Sequence, residues 1–363
     1  MLQAGAATLV VAGSGIAPGD CDAAPPHIAA PKPVLRPDFT QRVHSMPLNI
    51  IRFEHQGRPQ WGVIRGSRIT PVPGDFPTTG DFVRSTSLTE LAKLDGGVAL
   101  ELSAVRLLSP VTQNQQFVCQ GANYRQHMIE SGMDPDAKQY NMIFTKAQSC
   151  IVAADAEVIK PRSVHFLDYE IELGLILRKA IHAAVTVTDA NLHEFVAGAV
   201  IVNDYSARDV QIPQMQFYKG KSFRTFGPIG PWLTLLDASD ISKLKNLQLQ
   251  LKVNGQLRQN DNTANLVYGP AETLTELSAV HDFEPGDLLS TGTPAGCALS
   301  IPSPLKQKIG ALLPDKKKWE IFLSVQSKRT QYLKPGDIVE ASIHSPDRSI
   351  DLGLQRNCIV AGS

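Results

Sequence analysis

Glu170 and Glu172 stand two positions apart in LDYEIELGLILR, a run otherwise dominated by aliphatic residues. A β-strand sends residues i and i+2 to the same face, so the two carboxylates project side by side while Ile171 and Leu173 face a core. Carboxylates that close repel, and an unpaired pair raises one pKa, which makes a bound cation the simplest resolution. Ligands made only of oxygen favour a hard divalent ion such as magnesium. A third oxygen donor is expected from Asp204, where the apolar run AGAVIVN emerges into the polar turn DYSARD. The plainer alternative is two solvent-facing glutamates on an edge strand.

His127 and Glu130, in NYRQHMIES, form the second constellation. On a helix, i and i+3 share a face, so Glu130 can accept a hydrogen bond from one imidazole nitrogen and leave the other free as a general base. Surface helices carry such pairs routinely, so the pair alone decides little. The third constellation is Lys221 in GKSFRTFGPIGPW. A lysine among small and aromatic residues can neutralise a developing oxyanion or a substrate carboxylate, or stand as an exposed cation on a turn. A Schiff-base role would need a lowered pKa, and a metal site makes it redundant. The other histidines, His165 and His281 among them, have no comparable partner and read as surface or packing residues.

These groups need elements to hold them. Two alternating runs around QGRP in LNIIRFEHQGRPQWGVIRGSRITPV read as a β-hairpin. TSLTELAKL reads as a short helix, and GANYRQHMIESG as another closed by Gly132. Strands are expected at EVIK, the Glu170 segment, AGAVIVN, PWLTLL, LQLQLKV, QLRQ, DLLSTG and DIVEASI, and helices near 188–196 and across AETLTELSAV. Asn254-Gly255 is a strong hairpin signal, and Pro285-Gly286-Asp287 and Pro335-Gly336-Asp337 have the chemistry of type II turns. The stretch KKKWEIFLSVQSKR reads as a hairpin that shapes the pocket. The pattern is a strand-rich α+β fold with a rolled or barrel-like sheet, without the regular strand-helix alternation of a doubly wound domain.

Composition narrows the function classes. With 363 residues, 43% of them hydrophobic, the chain can bury a catalytic core together with a smaller N-terminal piece. Its 35 basic and 35 acidic residues cancel, and no basic run exceeds Lys316 to Lys318, so neither nucleic acid nor an anionic membrane is indicated. Five scattered cysteines form no CxxC pair, which argues against a zinc site or disulfide framework and suits a reducing cytoplasm. No apolar run approaches the roughly twenty residues that span a bilayer. Residues 1–45 are rich in Ala, Gly and Pro, hold no sustained period, and read as a disordered extension; they lack the charged start of a signal peptide. Met46 is expected to be the true start of the chain or the start of the ordered fold.

Taken in order, NYRQHMIES, FTKAQS, LDYEIELGLIL, VNDYSARDVQ, GKSF, GPW, VNGQLRQ, PGDLLSTGTPAG and LKPGDIVE resemble the fumarylacetoacetate hydrolase superfamily from about Leu48 to the C-terminus. The resemblance implies a mixed β-roll catalytic domain over 111–363, a small β-rich domain over 46–110, and a homodimer. It implies magnesium, with manganese or calcium as alternatives, on Glu170, Glu172 and Asp204, and a water-activating dyad of His127 and Glu130. Lys221 would serve catalysis, while Arg208, Gln211 and Thr293 would contact substrate. Plainer roles for two of these are an ion pair of Arg208 with Asp209, and a turn before Pro294 shaped by Thr293. Fumarylacetoacetase itself has a further aspartate ligand seven positions before its histidine, where this chain has Gln120, so three carboxylates are expected. The implied activity is carbon–carbon hydrolysis of a 2,4-dioxo acid of acylpyruvate or fumarylpyruvate type in aromatic catabolism. Oxaloacetate decarboxylation, hydration of 2-oxopent-4-enoates, 2-hydroxyhepta-2,4-diene-1,7-dioate isomerisation and sugar-acid dehydration are the rivals within the superfamily. A metal-binding protein without catalysis is the rival outside it. The segment Ser300 to Tyr332 is longer than in compact members.

Overall fold

A computed structural model describes residues 46–94, 99–214, 216–300 and 313–362. The expectations for residues 1–45 lie outside the described residues. The described residues, from Met46 onward, belong to one compact unit.

The segment that carries the glutamates is a central strand and not an edge. Ile171–Leu177 lies between Val196–Asn203 and Leu288–Ser290, antiparallel to both, and all seven of its residues are buried. Burial on both faces explains its near-continuous apolar sequence. The larger sheet continues through Leu233–Leu235 to the N-terminal strands Leu48–His55 and Arg58–Arg65, and on its other side to Phe117–Gly121 and Met142–Thr145. The N-terminal portion is therefore tied by main-chain hydrogen bonds to the sheet that carries the carboxylates, with Leu48 opposite Leu235. A second sheet runs in the order Gln256–Asn262, Gln248–Val253, Ile338–His344, Asp351–Ala361, Val158–Lys160.

Ile171, Leu173 and Leu175 share one core with Leu249, Leu251, Val339 and Ala341 of that second sheet. Ile176, Val200 and Val202 belong to another core with Ile50, Trp61 and Phe82 of the N-terminal portion. The result is the strand-rich rolled fold expected, with a small β-rich N-terminal part. Turn chemistry behaves as the sequence indicates. Gln56-Gly57 and Asn254-Gly255 all have positive φ, as two-residue hairpins require, and Gly286 and Gly336 have φ near +90° in the Pro-Gly-Asp turns.

Two local expectations are corrected. KKKWEIFLSVQSKR is not a hairpin, because Asp315–Gln326 is an α-helix. Trp319, Phe322, Leu323 and Gln326 recur at helical spacing; Phe322 and Leu323 pack on the main core, and Gln326 is 1% exposed. Period 3.6 outweighs the β-propensity of the Ile321–Val325 stretch. Across 188–196 only a single 3-10 turn forms, at Leu192–Glu194, since the Asn191 side chain accepts the Thr188 amide and donates to Thr186 O, and the chain enters a strand at Val196.

Gly198 marks the tightest point of the central sheet. A Cβ there would lie 2.2 Å from Thr234 O, a main-chain atom that cannot swing aside. Gly198→Ala is expected to destabilise the protein by at least about 1–3 kcal/mol, read as a lower urea midpoint with an unchanged slope.

Candidate metal centre and its charged neighbours

The register of two strands places the three carboxylates. Ile171 is paired with Asn203, and the Asp204 amide donates to Glu170 O at 2.8 Å, so Asp204 falls beside Glu170 on the face that Glu172 shares. Ligand oxygens of Glu170, Glu172 and Asp204 lie within 4.8 Å of one another, and all three residues are buried. The main chain around them is pinned by buried amides. Asn203 Oδ1 accepts the Glu170 N–H at 3.0 Å, and Gln259 Oε1, reaching from the second sheet, accepts the Ile171 N–H at 3.0 Å.

Three cations surround the carboxylates. Arg208 Nε donates to Asp168 Oδ2 at 2.8 Å, its Nη1 to Gln211 Oε1 at 2.8 Å, and its Nη2 to Glu170 Oε1. Lys221 Nζ donates to Glu170 Oε2 at 2.5 Å and to Asp204 Oδ2. Lys146 Nζ donates to Asp204 Oδ1 and, at 2.8 Å, to Phe226 O. Glu172 receives only neutral donors, Ser290 Oγ at 2.5 Å and the Gly292 amide at 3.1 Å, and has no ion pair among the described residues.

The electrostatics follow from this asymmetry. Burial drives the Glu170 carboxyl up, but Arg208 and Lys221 more than offset it and hold it well below the usual carboxylate range. Glu172 is pushed up to about 8 by burial first and then by Asp204 and Glu170, with Lys221 and Ser290 opposing. Burial opposes charge on Lys221 and Arg208, yet the carboxylates beside them raise both. Asp168, Glu170 and Asp204 are matched by the three cations, whereas Glu172 has no cation among the described residues and keeps its proton at neutral pH, so the metal-free cluster is close to neutral. Three converging buried carboxylates, one of them without a cation and able to exchange its proton for a metal, fit a divalent ion with a preference for oxygen.

His127 lies half-buried on the short helix Arg125–Glu130, which follows Asn123, whose side chain donates to Tyr268 O and Thr291 O. Burial lowers its pKa, Arg208 and Lys221 lower it further, and Glu170 and Glu130 oppose, so the imidazole is neutral and within electrostatic reach of the carboxylate cluster. The expected hydrogen bond from His127 to Glu130 is not made. Glu130 is exposed and accepts from Gln126 Nε2 at 3.3 Å, one turn back on the same solvent face, and acts on His127 only through space.

Arg208 does not pair with Asp209, whose Oδ2 accepts the His165 amide; its partners are Asp168 and Glu170. Gln211 Nε2 has no hydrogen bond among the described residues, whereas Thr293 gives its hydroxyl proton to Ile171 O and accepts from Gln259. Gln120 points away from the triad, donating to Asn141 and Thr273. Sequence reasoning missed Asp168, Lys146, Ser290, Gln259 and Asn203. Asp168 continues the alternation of Glu170 and Glu172 by one step, which was a usable signal. Lys146 sits inside FTKAQS but gained no role there, because nothing local aims it at Asp204.

A rolled mixed sheet with a buried Glu-Glu-Asp cluster at its strand ends defines a fumarylacetoacetase-type fold with a candidate divalent-metal centre. Comparison with known proteins gives the same result: residues 116–360 match the model of the fumarylacetoacetate hydrolase C-terminal domain, and residues 49–110 the Rv2993c-like N-terminal domain. The chain belongs to the fumarylacetoacetate hydrolase family. It is 33% identical over 268 residues to a putative hydrolase of Burkholderia ambifaria, covering 72% of this chain and 93% of that one. It is 33% identical over 212 residues to the oxaloacetate tautomerase YisK of Bacillus subtilis, covering 58% and 68%. A fumarylacetoacetate hydrolase from Exiguobacterium antarcticum superposes with TM-score 0.65 at 28% identity, over 87% of this chain and all of that one. Among the described residues no helix is long and apolar enough to cross a membrane.

Two outcomes follow for the cluster. Arg208→Ala strands Asp168 and Glu170 without their shared cation and is expected to cost about 3–5 kcal/mol of stability, measured by chemical denaturation. Glu172→Gln removes the carboxylate that has no cation, so the metal-free protein should be as stable as wild type or more so. Its affinity for manganese by calorimetry should fall by more than the roughly 10–100-fold typical of losing an outer-sphere partner.

Proposed function

We propose that the protein is a divalent-metal-dependent enzyme that hydrolyses a carbon–carbon bond of a 2,4-dioxo acid of acylpyruvate or fumarylpyruvate type, in the breakdown of aromatic compounds. The observation that carries this reading is the charge balance of the buried cluster. With Glu172 protonated the metal-free cluster is close to neutral, and a divalent ion on Glu170, Glu172 and Asp204 that displaces that proton would leave one positive charge in excess, which suits an anionic 2-oxo acid. The bound ion, magnesium or manganese, supplies Lewis-acid polarisation of the 2-oxo group.

The chain's own groups supply the rest. His127, kept neutral by burial and by Arg208 and Lys221, is a base able to take a proton from a water molecule directed at the distal carbonyl. Lys221 uses two N–H groups on Glu170 and Asp204 and retains a third. With the uncommitted Nε2 of Gln211 it can stabilise charge on the attacked oxygen. Water then adds to the distal carbon, the bond to the methylene carbon breaks with its electron pair left on that carbon, the proton held by His127 passes to it, and the products are a carboxylic acid and pyruvate. Glu130 is too exposed to orient His127 unless its helix tightens on substrate.

That unpartnered histidine favours a second reading, in which His127 only moves a proton at the carbon next to the 2-oxo group. Keto–enol exchange of oxaloacetate needs such a shuttle and no activated water, and the Bacillus subtilis tautomerase is 33% identical over 212 residues.

Incubation of the magnesium-loaded protein with acylpyruvates, fumarylpyruvate and oxaloacetate separates the readings. Release of pyruvate plus a carboxylic acid is the expected result. Loss of enol absorbance from oxaloacetate without any cleaved product would establish the tautomerase instead. His127→Ala should lower turnover by roughly a hundredfold to ten-thousandfold with metal affinity unchanged; a parallel loss of metal affinity would remove His127 from the role of base.

A further inference from the structure

Behind the metal centre, the end of the helix Asp315–Gln326 and the chain that follows it build a second cleft that the chemistry above does not use. A cavity of about 250 Å³ opens between the end of the helix Asp315–Gln326 and the loop that leads into Leu167–Asp168. Its floor is aromatic, with the rings of Phe166 and Tyr332 5.0 Å apart. Its titratable lining, apart from the Tyr332 hydroxyl, is Lys160, His165, Lys328, Arg329 and Lys334, with no carboxylate among the lining residues.

These basic groups are largely uncommitted. Among the described residues the side chains of His165, Lys328 and Lys334 have no hydrogen bond or ion pair. Arg329 donates Nε to Ala298 O at 2.6 Å, which fixes the guanidinium, and its terminal nitrogens have no hydrogen bond or ion pair among the described residues. Lys160, half-buried, donates Nζ to Val164 O and feels Asp209 only through space. Four permanent cations gathered over one small cavity repel one another, and an oxyanion seated among them would relieve that repulsion.

We propose that this cleft is an accessory binding site for a small, multiply charged oxyanion, either a phosphate or a dicarboxylate. Its wall is the outer side of the catalytic anchor. Phe166 O accepts the Arg208 amide at 2.9 Å, Leu167 O accepts the Leu333 amide at 2.9 Å, and Ala298, held by Arg329, donates its own amide to Asp168 Oδ1 at 2.6 Å. An occupant would therefore brace the Asp168–Arg208 pair from behind, without touching the metal ligands. The assignment does not depend on which 2-oxo acid reaction the enzyme performs.

The test is calorimetric titration of the magnesium-loaded full chain at low ionic strength, with inorganic phosphate and separately with succinate, each with and without saturating oxalate at the metal centre. One equivalent should bind in either titration with a Kd in the millimolar range or tighter (about −4 kcal/mol), whether or not oxalate is present. Binding should weaken by about tenfold in Lys328→Ala/Lys334→Ala, two exposed side chains outside the catalytic machinery, with basal turnover unchanged. Response to phosphate alone identifies a phosphate ligand, and response to succinate alone a carboxylate. No binding of either, binding abolished by oxalate, or unchanged affinity in the double variant would overturn the proposal.

Discussion

The arrangement depends on one constraint: four carboxylates are taken out of water within a few ångströms of one another, and each must be compensated where it stands. Arg208 does the most, because its planar fork reaches Asp168, Gln211 and Glu170 at once, a geometry that lysine lacks. Desolvating these ions would be unaffordable without partners of this quality. Asp168 is also held by the amides of Ala298 and Leu299, so the arginine is anchored to backbone and not merely to another mobile side chain.

Compensation is uneven, and that unevenness gives the centre its chemistry. Glu170 and Asp204 are satisfied on both oxygens by Arg208, Lys221 and Lys146, whereas Glu172 meets only a hydroxyl and an amide at the end of the Leu288–Ser290 strand. A cation entering among the three gains most from Glu172. Both sheets contribute to the rigidity of the centre, since Gln259 crosses from the second sheet to take the Ile171 amide and to donate to Thr293 and Pro294. The ligands thereby stand on main chain fixed from two sides, and their spacing can persist without an ion to gather them.

The central strands, both short hairpins, the Pro-Gly-Asp turns and the helix Pro270–Ser278 were legible in the chain because their signals are local: alternation, turn residues, and a proline at a helix start. The segment 315–326 was misread because its β-branched residues and its helical period point in opposite directions, and contact with the core decided between them. Glu170 and Glu172 were legible for the same local reason, whereas Lys221 read as a partner for substrate charge or an exposed cation, and its pairing with Glu170 and Asp204 came only from the fold. Lys146 and Ser290 were not, since each reaches its carboxylate across more than fifty positions of sequence.

By itself the sequence determined the composition of the site: two carboxylates on one strand face, an aspartate at a strand end, a histidine on a short helix and a lysine among small residues. Family resemblance extended this to an ordered set of motifs. Tertiary structure decided which charges meet. Only the antiparallel register of Ile171 against Asn203 brings Asp204 beside Glu170, only the short antiparallel pairing of Leu167–Asp168 with Ser206–Ala207 brings Arg208 to Asp168, and only the packing of the second sheet on the first brings Gln259 to the same strand. Strand parity is a property of neighbours in the chain, whereas ion pairing in a buried cluster is fixed by register and packing between segments far apart in it.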